Sequence, residues 1–425
     1  MNPSQKGWLR DFLKIRKHMF VESEEFKKTR QGQNPDQSFY GLIQPTGIMY
    51  GYPFFIADIS EHNNWSAIDR IKVILADSFI NIAELYNEKP ITSEEEFWQL
   101  MHNTMDSVNH FYNGVYPELS TPTTSWLGQK KDVLTVTETL LEKRVKHTFK
   151  RAGNFWAEFF HHTQLFLDIY IFGQWSHTQP DKVLLEFFKE EKEELSYTAV
   201  KVMAAAAHAN EHIESEEEKL FEHFIENSGL PAEKRRVANE YFEHGLAIQD
   251  IPIEETDPWV IRKFFLELAI LTVWSDKKIE DVEWTFLSNF YLSLGFSEED
   301  FDSSMIAVEG FVLQNWDQLD NLKERKDHLV IEKDYISRIS KTANQFKNRI
   351  QKDIMEDKSL RDLLRKGSTT ELNSDEKELI RSKFLLILKT IPTFRVISLP
   401  DDFLTFSLLL QVIPKEVINE VIRDG

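Results

Sequence analysis

Apolar residues recur at three- and four-residue spacing along most of this chain, and alternating, strand-like runs are few. That spacing gives each segment one apolar stripe to bury against a neighbour, so the expected fold is all-α and multi-helical. At 425 residues the chain can hold two or three domains, each with a core of its own.

Segments 8–20, 65–86, 93–112 and 133–173 read as helices, the last with a break near Gly153. In 65–86, Ile68, Ile71, Ile74 and Leu75 share a side, and Thr92-Ser-Glu-Glu-Glu opens 93–112 as an N-terminal cap with acids in its first turn. The aromatic, Gly- and Pro-rich stretch 39–55 reads as a loop whose rings plug a core. Gln174-Trp-Ser-His-Thr-Gln-Pro180 marks a first boundary, and a charged helical stretch begins near Asp320. Three regions follow: an N-terminal helical domain (1–178), a helical middle domain (179–320), and a helical connector with a C-terminal tail (321–425). In the connector, Ile336, Ile339, Ala343, Phe346 and Ile350 approach a heptad seam, and Gly367 reads as the turn that ends it.

Charge is concentrated in the middle. Residues 181–320 carry 12 Lys/Arg against 32 Asp/Glu, which accounts for the whole net charge of −20. Such a surface disfavours nucleic acid and anionic lipid, and suits a cation or a basic protein partner. With no Cys, thiolate metal sites and Cys nucleophiles are excluded. The common glycine-rich phosphate loops and the G-x-S-x-G nucleophile turn are absent, so the expectation is a non-enzymatic protein. The longest uncharged run, 38–57, holds three Gly and two Pro, and the run 403–414 falls well short of the roughly 20 residues a span needs. No apolar leader is visible at the N-terminus. A cytoplasmic protein without a transmembrane helix is therefore expected.

Two histidine patterns invite a metal reading. His208-Ala-Asn-Glu211-His212 spells the order of the inverted zinc proteases, but it straddles a helix end. Glu158-Phe-Phe-His161-His162 offers one Glu-x-x-His without the second that a di-iron bundle needs. Both read more simply as structural histidines.

The middle region also carries a duplication. Ala209-Asn210-Glu211-His212-Ile213-Glu214-Ser-Glu-Glu217 aligns with Ser275-Asp276-Lys277-Lys278-Ile279-Glu280-Asp-Val-Glu283, 66 residues later, and apolar helices flank both copies. This arrangement resembles the TerB-like fold of tellurite-resistance and related proteins, over about residues 195–315. The resemblance implies a divalent-cation site on Asn210, Glu214, Glu217, Asp276, Glu280 and Glu283; no other cofactor is implied. Glu211 and Lys277 stand where the family usually has Gly, and the competing reading is that these acids only cap helices.

The tail runs from Leu372 through Asn373-Ser-Asp-Glu376 into an apolar helix whose stripe is Ile380, Phe384, Ile387, Leu388 and Ile391, ended by Pro392. Pro400 reads as the start of a second Phe/Leu-rich helix that Pro414 stops. These proline-punctuated blocks resemble the membrane-proximal segment of the LETM family, where the stretch leads to or lies in an inner-membrane span. Here Arg395, Asp401 and Asp402 interrupt it, so peripheral membrane contact or packing onto the protein's own core is expected instead. A TerB-like middle joined to a LETM-like tail resembles the LETM-related biofilm-associated proteins. That likeness implies an interaction role with an unidentified protein partner at the cytoplasmic face of the membrane; its alternative is a cation-binding stress-response role.

Overall fold

The computed structural model describes residues 1–29, 34–51, 64–87, 89–122, 124, 131–148, 162–178, 182–209, 213, 215–274, 279–316 and 325–423. Among these residues the protein is all-α, with nineteen α-helices and no strand. They group into two compact units, Met1–Gly295 and Phe296–Gly425.

The first unit contains α1 (Trp8–Thr29), α2 (Pro35–Ile43), α3 (Ala67–Tyr86), α4 (Glu94–Val115), α5 (Val133–Thr148), α6 (Thr163–Thr178), α7 (Lys182–Ala207), α8 (Ser215–Asn227), α9 (Ala232–His244), α10 (Trp259–Val273) and α11 (Asp281–Ser293). The expected cap of α4 forms a full capping box between Ser93 and Glu96. Helix α7 is the hub: it packs on α4, α6, α8, α9, α10 and α11. Its C-terminal third, Ala199 to Ala207, is buried apart from Lys201, as is nearly all of α10.

The stretch expected as a loop at 39–55 is partly helical. Phe39, Tyr40 and Ile43 lie on the buried face of α2, because Pro35 at its first turn and the Asn34 cap start a helix there. Two short 3₁₀ turns follow, separated by Gly47 at φ 73°, which a side chain would strain. Phe39, Tyr40 and Tyr50 do plug the core; Tyr52, Phe54 and Phe55 lie outside the described residues.

The second unit contains α12 (Glu298–Gln314), α13 (Arg325–Gln345), α14 (Lys347–Glu356), α15 (Lys358–Thr369), α16 (Ser374–Leu388), α17 (Pro392–Val396), α18 (Phe406–Val412) and α19 (Lys415–Arg423). The division between the compact units falls at Gly295/Phe296. The cause is α12, whose buried Glu309 pairs with Arg338 of α13 at 3.2 Å. The stretch read as a connector is three packed helices, with Ile336, Ile339, Ala343 and Ile350 buried. Gly367 does not end a helix: α15 continues through it to Thr369.

In the tail, Asn373 and Glu376 form the expected capping box, and Ile380, Phe384, Ile387, Leu388 and Ile391 are buried within the unit. Pro400 does not start the next helix. Residues 400–405 form a turn instead, and the Thr405 hydroxyl caps α18. Arg381 holds that turn by donating to the carbonyls of Asp401 and Leu404, while Lys389 pairs with the Asp401 carboxylate. No helix among the described residues is long and apolar enough to cross a membrane.

Candidate functional site

The duplicated motif forms two helical hairpins, α7–α8 and α10–α11, and their first helices pack directly on each other. Of the residues that the resemblance assigns to a cation, Asn210, Glu214 and Asp276 lie outside the described residues, as does the side chain of Glu217. Glu280 and Glu283 are brought together. The Glu283 carboxylate accepts the Glu280 backbone N–H at 2.6 Å, and the Glu280 side chain returns the bond to the third residue of α11. They therefore work as a reciprocal cap. Glu283 is buried and Glu280 exposed. Among the described residues no group of three or more His, Asp or Glu is placed to hold a metal ion.

The histidines of the two patterns are structural where they are described. His208 Nε2 hydrogen-bonds the Phe242 carbonyl, so that nitrogen carries a proton and is not a free ligand. His162 is buried with Nδ1 2.9 Å from the Thr148 hydroxyl. Glu158, His161, Glu211 and His212 lie outside the described residues.

A different site emerges beside α7. Asp168, alone among apolar neighbours on α6, is fully buried and sits at the centre of a charge cluster. Arg144 of α5 donates Nε to Asp168 Oδ2 at 2.6 Å. The Tyr112 and Tyr116 hydroxyls donate to the same carboxylate at 3.2 and 3.0 Å. Arg144 also donates to the Tyr116 hydroxyl at 2.9 Å, and its guanidinium lies 4.3 Å from the centre of that ring. Lys192 of α7 completes the group, with Nζ 3.5 Å from Asp168 Oδ1 and 4.9 Å from the Tyr116 ring centre.

Burial dominates the electrostatics. Removal from water opposes ionisation of Asp168, but Arg144 and Lys192 outweigh it and hold the carboxyl below its usual range. Burial also acts on Lys192; Asp168 partly offsets it and Arg144 reinforces it, so the ammonium is pulled down to about 8. Both tyrosine hydroxyls are pushed well up by burial, so they remain donors.

Lys192 forms the floor of a cavity of about 280 Å³. Its walls come from Tyr116 at the end of α4, His147 of α5, Lys189 and Glu193 of α7, and Ser228–Gly229 after α8. Nothing in the sequence marks Lys192, which stands among glutamates and reads as part of a solvated face. Asp168 did carry a signal: a lone acid inside Leu165-Phe-Leu-Asp168-Ile-Tyr-Ile-Phe172 requires a buried partner.

No protein-family model matches the chain, and no solved structure matches it. Among curated proteins it is similar to the co-chaperone protein DjlA of Photobacterium profundum, 29% identical over 130 residues. The alignment takes in 28% of this chain and 47% of that protein, so the chain spans about half the length of the curated relative it matches.

Proposed function

We propose that this chain is a non-enzymatic helical interaction protein of the LETM-related, biofilm-associated kind, whose acidic hairpin unit binds a basic protein partner at the cytoplasmic face of the membrane. The observation that carries this reading is the pair of packed hairpins in a region with a net charge of −20, with exposed acids such as Glu222, Glu243, Glu254 and Asp281 around a buried apolar centre. Rigid helices with a charged exterior suit partner selection by complementary potential. The likeness to a co-chaperone, a protein named for acting beside another, supports a partner-binding role.

The test is fractionation of the native cells with a carbonate wash of the membranes, followed by in-cell cross-linking. The expected result is release by carbonate and cross-links from the hairpin unit to a basic protein. Replacing Glu222, Glu243 and Asp281 by Lys should abolish those cross-links. A protein that stays in the supernatant, with cross-links unchanged by the charge reversal, overturns the proposal.

A further inference from the structure

The cavity above Lys192 is built on a charge imbalance. Lys192 lines the cavity, and Lys192 and Arg144 share a single buried carboxylate, Asp168. That carboxylate accepts from Arg144 and two tyrosines while Lys192 stands 3.5 Å from its Oδ1. Each of the three charges is nearly or wholly removed from solvent, with side-chain exposures of 1% for Arg144, 0% for Asp168 and 6% for Lys192. An excess cation held this way is costly unless a counter-charge reaches it.

The surrounding groups supply that charge only in part: Glu118 favours the protonated amine, but from an exposed position screened by solvent. Glu193 is bound by Lys234 at 2.8 Å, and the Tyr116 hydroxyl is already spent on Asp168. Glu118 stands exposed on the rim, where it faces the exposed His147 and Lys189. The cavity itself is the approach to the Lys192 ammonium, and about 280 Å³ suits a small molecule, not a folded partner.

We infer that this cavity binds the carboxylate or phosphate group of a small metabolite, with Lys192 as the buried counter-ion and Lys189 and His147 at the entrance. The depressed Lys192 is consistent with a site awaiting negative charge: an oxyanion against the ammonium favours its protonated form.

The experiment follows the Lys192 Cε resonance in the full chain labelled with ¹³C-lysine, the signal being assigned by its loss in Lys192→Met. Titrations are run in inorganic phosphate, in acetate, and in sodium chloride of matched ionic strength. The expected midpoint is near 8 in chloride, rising by about one unit, a tenfold preference for the protonated amine, as the oxyanion saturates. Movement in phosphate alone assigns a phosphate ligand; movement in both assigns a carboxylate-tolerant site. An unchanged midpoint in all three salts overturns the proposal. Equal phosphate binding by folded Lys192→Met also overturns it.

Discussion

Buried ion clusters occur in both units, and burial shifts Lys192 in the first and Glu309 in the second in opposite directions. In the first unit Arg144 and Lys192 outnumber Asp168. In the second, Arg338 faces two acids, Glu309 at 3.2 Å and Asp302 at 3.4 Å, and Lys341 relieves only Asp302. Burial acts most on a lysine in one cluster and on a glutamate in the other. It pulls Lys192 down to about 8 and, against the pull of Arg338, pushes Glu309 up to about 8. The lesson concerns which member yields. In each cluster the group on which burial weighs most moves toward its neutral form.

Four measurements would break or sharpen this comparison. Asp168→Asn should have the largest effect, because it leaves two buried cations without a counter-ion. A loss of about 3–5 kcal/mol is expected, read as urea-induced unfolding of the first unit by hydrogen exchange in α5 and α6. Arg338→Met should cost less, about 1–3 kcal/mol, since Glu309 can respond by holding its proton. Its cost should be smaller at pH 5 than at pH 8.5 in the same assay on α12 and α13.

The pH slopes should oppose each other in adjacent windows. Glu309 has a folded pKa above its ordinary 4.5, so its contribution is complete below 4.5 and is lost as pH rises toward 8. Lys192 has a folded pKa below its ordinary 10.5, so its contribution is complete above 10.5 and is lost as pH falls through 8. Hydrogen exchange corrected for intrinsic rates should show the second unit weakening between pH 5 and 8. The first unit should strengthen between pH 8 and 10.5. Glu309→Gln should flatten the first slope and leave the second in place. The smallest effect belongs to Lys192→Met, which removes the surplus charge and keeps the stem's volume. Chemical denaturation near pH 7 should find it within about 1 kcal/mol of the parent, or slightly more stable.

The clusters also mark how far the sequence could be read. Helix type and the duplicated hairpins were legible because apolar spacing and the Asn373/Glu376 and Ser93/Glu96 caps are local signals. Asp168 was legible as an anomaly, a single acid in an apolar helix, but its partners were not, and Glu309 was hidden among the other acids of α12. Arg144 lies 24 residues from Asp168 and Arg338 lies 29 from Glu309, and nothing local specifies such pairings. Lys192 was masked by the run of glutamates around it. The place of α12 in the second unit was hidden for the same reason, since it is acidic like the hairpins yet packs on α13. Pro400 misled because a proline permits a helix start without requiring one, and Thr405 offers the better hydroxyl.

The reciprocal cap at Glu280 and Glu283 has a consequence for any ion that approaches this turn. Both carboxylates already hold the first turn of α11 closed. A cation recruiting them would have to compete with the helix for its own start. Losing such a cap costs about 1 kcal/mol, so affinity would fall by roughly fivefold, and occupancy would be reported by fraying at Asp281–Glu283. Ion binding and local melting would then be one equilibrium, and a rise in amide exchange would be its signature.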